Sequence, residues 1–318
     1  MRPREPTFEQ PRIARVGLER EVEQVAEEGD RPDRCVHRQV QQHPQLNRSR
    51  RAELVRENQP IRPDDCGGDV THARDEPKNP IQPETPSAID TELLFGESVK
   101  IFDRHDGWAW VQSDLDRYVG YVEDHALREL VAPKTHWVTA TRTFLYPQPD
   151  MKISPIGTLS IGSRITVTGE AETRGTKYLL TSEGAVIASH VGAIGEPSGN
   201  DYVAVAARMV ETPYLWGGRS SFGLDCSGLL QLSMMMSGRQ ILRDADMQEQ
   251  SVGEIIERSD LQRGDLVFWQ GHVAIMENAT TMIHANGYSM TVARERLAGA
   301  INRIKPVYGL PRLYRRPN

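Results

Sequence analysis

One stretch constrains this chain more than any other: Glu211 to Leu230, E-T-P-Y-L-W-G-G-R-S-S-F-G-L-D-C-S-G-L-L. A single cysteine, Cys226, stands between an acidic residue and an apolar run, behind a glycine-rich loop that carries aromatics. The run from Ser227 through Leu229, Leu230, Leu232, Met234 and Met235 to Ser237 has the length and apolar content of a helix. Gly238 stands just past it, where a left-handed cap residue is expected. A thiol in the first turn of a helix meets unpaired backbone N–H groups and the positive end of the macrodipole, both of which favour the nucleophilic thiolate. Free cysteines in general end up as small buried hydrophobes, so the choice rests on what the remaining chain supplies.

The 318 residues leave room for two or three domains. A formal net charge of −6 gives no global attraction to nucleic acid, and no apolar run is long enough to span a membrane. The basic start, M-R-P-R-E-P, has no hydrophobic stretch behind it, so it does not read as a secretory signal. Cys35, Cys66 and Cys226 are too few and too scattered for a disulfide framework. A reduced, cytoplasmic protein is the simplest expectation.

Residues 1–88 differ from everything after them. Phe8 is the one aromatic before residue 90, in a chain with six Phe, five Trp and nine Tyr, and no lysine precedes Lys78. Such a segment buries too little apolar area to offset its chain entropy, and it reads as a charged, disordered tail. A fraying charged helix fits Ile13 to Glu28, and the composition is also that of a wrongly assigned chain start.

From Thr91 the texture changes to short strands: Ser98 to Phe102, Trp108 to Gln112 and Tyr118 to Val122, with a turn at His105-Asp106-Gly107. A similar set follows Pro133, at 137–141, 144–147, 164–167, 178–180 and 184–187. Turn signals every eight to twelve residues predict two small all-β barrels, over 89–131 and 132–195. The pattern G-E-x-V-x-I…G-W-A-W-V…G-Y-V over 96–122 resembles the bacterial SH3-like domain, and the second set resembles a degenerate copy. The resemblance implies a further strand upstream of Thr91, which the proline-rich Asn79 to Ser87 supplies poorly.

A linker at Glu196–Gly199 opens the last domain, 196–318. Asp201 to Val210 reads as an amphipathic helix halted before Pro213. After the Cys226 helix come a polar segment, Ile241 to Gln250, and strands at Leu266–Trp269, Gly271–Glu277 and Thr281–Ala285, with Asn286-Gly287 as a turn. Helices first and an antiparallel sheet afterwards make an α+β layout.

Two histidines lie in this strand region, His272 at the head of one strand and His284 near the end of the next, twelve residues apart. A hairpin of that spacing can bring both side chains to one face. A cysteine nucleophile needs a base, and the base needs a third group to fix its tautomer. Cys226, His272 and His284 supply those roles. The same residue types could also ligate zinc, although no pair among them has short ligand spacing.

T-P-Y-L-W-G-G-R-S-S-F-G-L-D-C-S-G-L, then R-D-A-D-M-Q, then L-Q-R-G-D-L-V-F-W-Q-G-H-V-A-I-M, then M-I-H-A-N-G resembles the NlpC family of papain-like cell-wall cysteine peptidases, over residues 201–318. With SH3-like modules in front, the likeness is to the members that cut short murein peptides after γ-D-glutamate, ahead of a diamino acid, where L-alanine has a free amine. The resemblance implies Cys226 as nucleophile, His272 as general base and acid, and His284 as orienting group, with no metal or organic cofactor. It further implies an amine pocket at Tyr214, Asp225 and Ser227, with Trp216 in the same loop. Arg243, Asp244 and Gln248 would line the cleft, Arg243 meeting a substrate carboxylate, and Glu97, with Glu92 behind it, would reach the amine from the first barrel. Asp225 could instead be a helix N-cap, and Tyr214 and Trp216 core aromatics. The expected partner is a murein tri- or tetrapeptide in cytoplasmic recycling. Acyl transfer by the same thiol, or an inactive wall-binding module, are the competing functions.

Overall fold

The computed structural model describes residues 38–41, 89–130, 132–196, 199 and 201–318. The first barrel is a five-stranded sheet of β1 (Arg38–Gln41), β2 (Ile89–Leu93), β3 (Val99–His105), β4 (Trp108–Ser113) and β5 (Val119–Glu123), in the order β2-β1-β5-β4-β3. Alternation in W-A-W-V-Q-S turns Ala109 and Val111 into one small core with Leu93 and Val122, while Trp110 packs with Val119 and Tyr121. Two of these strands depart from expectation. Ile89–Leu93 forms the upstream strand that the proline-rich segment could not supply. Arg38–Gln41, inside the stretch read as a disordered tail, pairs antiparallel with it. A strand laid between two others is recruited by its backbone N–H and C=O groups, so a polar sequence leaves little trace of it. The helix expected over 13–28 and the nature of the chain start lie outside the described residues.

The second module is also all-β: β6 (His136–Val138), β7 (Arg142–Leu145), β8 (Gly157–Ser160), β9 (Arg164–Ile165), β10 (Gly169–Thr173), β11 (Thr176–Leu180), β12 (Ala185–Ile187) and β13 (Val191–Ala193). They form three small sheets, β10-β11-β12, β13-β6-β9 and β7-β8, around Val138, Leu145, Leu159, Ile165 and Val186.

The last third of the chain holds α1 (Tyr202–Ala207), β14 (Arg219–Ser220), β15 (Gly223–Leu224), α2 (Cys226–Met236), α3 (Ala245–Ser251), β16 (Glu254–Ile255), β17 (Leu266–Trp269), β18 (His272–Met276), β19 (Thr281–Asn286), β20 (Thr291–Arg296), α4 (Leu297–Tyr308) and β21 (Leu313–Arg316). Its six-stranded antiparallel sheet runs β16-β21-β17-β18-β19-β20. The middle strands are apolar at nearly every position because both faces are covered. Phe268, Val273, Ile275, Ile283 and Ala285 meet α1 and α2 on one side. Val267, Trp269, Ala274, Met276 and Met282 meet Leu297, Ala300, Ile301 and Ile304 of α4 on the other.

The three modules lie within one unit, Asp33–Asn318, and share packing. Leu94 from beyond β2 and Trp137 and Ile161 from the second module sit in the same buried cluster as Leu229, Leu232 and Met235 of α2. Next to Leu94, Phe95 packs into the second module's core.

Candidate active site

Asp225 starts α2 as its N-cap, with Oδ1 accepting from the Gly228 N–H at 2.6 Å. The first turn is pressed against the preceding loop: a Cβ on Gly228 would stand 2.2 Å from the Gly218 carbonyl oxygen, so only glycine fits. At the other end Gly238 has φ +77°, and Arg239 N–H donates to Met234 O at 2.9 Å, the cap expected from sequence.

The acidic cap is held in an internal network. Buried Arg243 donates from Nη2 to Asp225 Oδ2 at 2.7 Å and from Nη1 to Oδ1 at 3.1 Å. The Gly217 N–H also donates to Oδ2, at 3.0 Å, and Ser227 Oγ to Oδ1, at 3.2 Å. Five donors on two oxygens exhaust a carboxylate's acceptor sites. Arg243 further reaches Ser227 Oγ at 2.8 Å and Thr91 Oγ1 of the first barrel at 2.7 Å. Burial works against its charge, but the Asp225 carboxylate beside it outweighs that and holds the guanidinium protonated.

The thiol at the start of α2 is 9% exposed. Its Sγ lies 3.9 Å from the Gly271 carbonyl oxygen, and the Val273 N–H points at it, so the sulfur rests against the backbone on either side of His272. Burial pushes the thiol up to about 12, and the Asp225 charge adds to this. The Val273 and Ser227 N–H groups and Arg243 act the other way. The expected thiolate therefore gives way to a neutral thiol, because desolvation outweighs the helix N-terminus.

His272 heads β18, and its Nε2 lies 3.0 Å from His284 Nδ1 on β19. The two ring nitrogens thus bond each other. Burial, with His284 and the Arg303 charge alongside, takes His272 down to about 3, so its imidazole is neutral. Behind His284, Nε2 stands 3.2 Å from Glu295 Oε2 on β20 and 3.2 Å from Asn286 Nδ2. Arg303 on α4 pairs with the same Glu295 carboxylate. The His284 hydrogen bond and Arg303 draw Glu295 down to about 2 despite partial burial. Sequence reasoning missed Glu295 and Arg303. The signal was there in the alternation T-V-A-R-E-R after the Asn286-Gly287 turn, which makes residue 295 share a face with residue 284.

The remaining expected site residues divide. Asp225, Ser227 and Arg243 form the internal network above, in which Asp225 is also the helix cap. The Glu97 side chain is buried and pairs with Arg219, accepting also from the Leu94 N–H at 2.9 Å. Glu92, also buried, accepts from the Arg219 N–H at 2.7 Å, and desolvation raises its carboxyl above the usual range. Gln248 is buried too and donates to the Ser227 and Leu242 carbonyls. By contrast Trp216 is 66% exposed. Tyr214 is half-buried, close enough to the thiol for a Cys226 charge to raise its hydroxyl beyond what burial does. Asp244 is half-buried, with Tyr118 Oη of the first barrel donating to it at 3.3 Å.

The NlpC/P60 family model matches residues 211–305, and that of the bacterial dipeptidyl-peptidase SH3 domain matches 82–127. The chain is 29% identical to dipeptidyl-peptidase 6 of Lysinibacillus sphaericus, over 64% of this chain and 83% of that protein. To γ-D-glutamyl-L-lysine dipeptidyl-peptidase of Bacillus subtilis it is 25% identical, over 63% of this chain and 73% of the relative. A crystal structure of an NlpC/P60 family protein from Bacillus cereus shares the fold, with a TM-score of 0.59 and 22% identity over 72% of this chain and 82% of its own. With a cysteine at the head of a helix and a two-histidine chain on the facing sheet, residues 211–305 form an NlpC/P60 domain.

Proposed function

We propose that this chain hydrolyses the bond between γ-D-glutamate and a diamino acid in short murein peptides that carry a free N-terminal L-alanine. The observation that carries this reading is the thiol resting on the backbone around His272, whose far nitrogen is already held by His284. With Nε2 engaged, Nδ1 of His272 is the nitrogen available to the thiol. Burial makes either charge costly alone, so proton transfer from Sγ to Nδ1 is coupled to attack, each new charge offsetting the other. Sulfur adds to the γ-carbonyl carbon, and the Cys226 N–H at the helix start supports the oxyanion. Collapse breaks the C–N bond while His272 returns its proton to the leaving amine. Water, deprotonated by the same nitrogen, then hydrolyses the thioester.

Specificity for a free amine calls for a carboxylate, and half-buried Asp244, which follows Arg243 directly and accepts from the Tyr118 hydroxyl, is the candidate by position. Asp244, with Tyr214 and Trp216, is the reading for the amine end. Two relatives named for γ-D-glutamyl-L-lysine cleavage support the bond chosen. The setting we assign is cytoplasmic recycling, since short peptides with a free amine are released products and no longer part of the wall. Among the described residues no helix is long and apolar enough to cross a membrane.

Incubating the purified chain with L-Ala-γ-D-Glu-meso-diaminopimelate should release free diaminopimelate, and Cys226→Ala should release none. No release by the native chain would refute the hydrolase reading. Acyl transfer to an added amine in place of hydrolysis would favour an acyltransferase. Asp244→Asn should raise KM with little loss of kcat, and N-acetylating the L-alanine should mimic it; unchanged KM in both would remove Asp244 from the amine site.

A further inference from the structure

The hydrogen-bonded chain behind His272 does not stop at His284. His284 Nε2 faces two groups of opposite character, the Glu295 carboxylate on β20 and the Asn286 side-chain amide on its own strand, both at 3.2 Å. Asn286 Oδ1 is committed to the Tyr288 N–H at 3.1 Å and the Ser289 N–H at 2.9 Å, which leaves Nδ2 as the end turned toward the imidazole. An amide N–H₂ calls for a lone pair on Nε2, whereas a carboxylate calls for a proton there. The two demands cannot both be met by a neutral ring. His284 Nδ1 faces His272 Nε2 at 3.0 Å, so the choice at one end of His284 sets the proton at the other and then on His272.

We propose that Glu295, clamped by Arg303, is a positioning residue that keeps the proton of His284 on Nε2 and thereby leaves Nδ1 of His272 as the bare nitrogen that accepts the thiol proton. The inference rests on Cys226 and His272 acting as the proposed nucleophile and base. The charge-assisted contact to Glu295 outweighs the neutral amide contact. The carboxylate is ionised because it receives both His284 and Arg303, the latter with Nε at 3.2 Å from Oε1. With Nε2–H pointing at Glu295, Nδ1 of His284 accepts from His272 Nε2–H, and the Nδ1 lone pair of His272 is left for the thiol. With the opposite tautomers His272 would carry its proton on Nδ1 and could not take one from sulfur. Tyr288 covers the guanidinium of Arg303, 4.5 Å from ring centre to carbon, and holds it in place. Among the described residues the groups facing His284 are His272 from β18, Asn286 from β19 and Glu295 from β20, with Arg303 of α4 behind the carboxylate.

The test uses the full chain, ¹⁵N-labelled at histidine, read by long-range ¹⁵N–¹H correlation at pH 7. Both His272 and His284 should be Nε2–H tautomers. In Glu295→Ala the Asn286 amide is left alone at Nε2, so His284 should change to Nδ1–H. A native His284 protonated on Nδ1, alone or on both nitrogens, would overturn the proposal. With the murein tripeptide as substrate, Glu295→Ala should lower kcat by about 10²-fold with KM unchanged, and Glu295→Asp should recover part of the loss. Native kcat and pH profile in a folded Glu295→Ala variant would also overturn it. If the native chain cleaves no such peptide, the functional reading fails, while the tautomers still decide the role of Glu295.

Discussion

His272 is held neutral by its surroundings, and that has a measurable consequence for stability. The imidazole takes a proton near 6.5 in the unfolded chain but only near 3 in the folded one. Between those values the unfolded state binds more protons, so this contribution is complete above pH 6.5 and is lost as pH falls toward 3. Glu295, drawn down from 4.5 to about 2, has the same sign at lower pH. The unfolding free energy in urea should therefore drop on acidification, with up to about 1.4 kcal/mol per pH unit from His272. His272→Gln should lack that part of the slope. Parallel slopes for the two proteins between pH 6 and pH 4 would contradict the assignment, taking those values as roughly the middle of the titration window. His272 and His284 were legible as a pair because a histidine heads one apolar strand and ends the next. Glu295 was not, because an acidic residue in R-E-R reads as a solvated strand edge until the strand is paired.

At the scale of the element, α2 shows what a short sequence motif does and does not reveal. D-C-S-G-L-L marked a helix start, and the helix begins at Cys226 with Asp225 as cap. The motif could not show that Asp225 is also the partner of a buried arginine, since Arg243 is eighteen residues on and looks like a surface charge. The structure makes the pair internal, with Arg243 1% exposed, so removing one partner strands a buried charge. Asp225→Ala should cost roughly 3–5 kcal/mol in urea unfolding, more than the ~1 kcal/mol of an N-cap alone. A loss confined to the cap value would show that Arg243 finds water or another acceptor.

At the scale of the whole molecule, the barrels are parts of the peptidase's structure and not separate beads. The sequence predicted three consecutive modules. It could not predict that Ile161 and Leu94 would insert beside α2, or that Arg219 would be buried among Glu92 and Glu97 of the first barrel. These contacts join residues more than sixty positions apart, and no local periodicity records them. Ile161 is fully buried, so Ile161→Ala should cost about 2–5 kcal/mol. It should also lower a single thermal transition of residues from all three modules, followed by hydrogen exchange of β4, β11 and β18. Separate transitions for the barrels and the six-stranded sheet would contradict the shared core.

What the sequence determined by itself was local: the positions of the central strands and of α1 and α2, the helix start at Cys226, the histidine spacing and the family likeness. Each follows from side-chain period, turn chemistry or a short motif, all of which act over a few residues. Tertiary structure decided which charges pair with which. Asp225, Arg243, Glu97 and Asp244 look alike in the sequence as charged residues near the motifs. Asp225 and Arg243 pair with each other and Glu97 pairs with Arg219, while half-buried Asp244 accepts from the Tyr118 hydroxyl. The same holds for the thiol. The helix start argues for a thiolate, but the fold that buries Cys226 removes the water that would stabilise one, and in the mechanism proposed above activation falls to His272, His284 and Glu295 behind it.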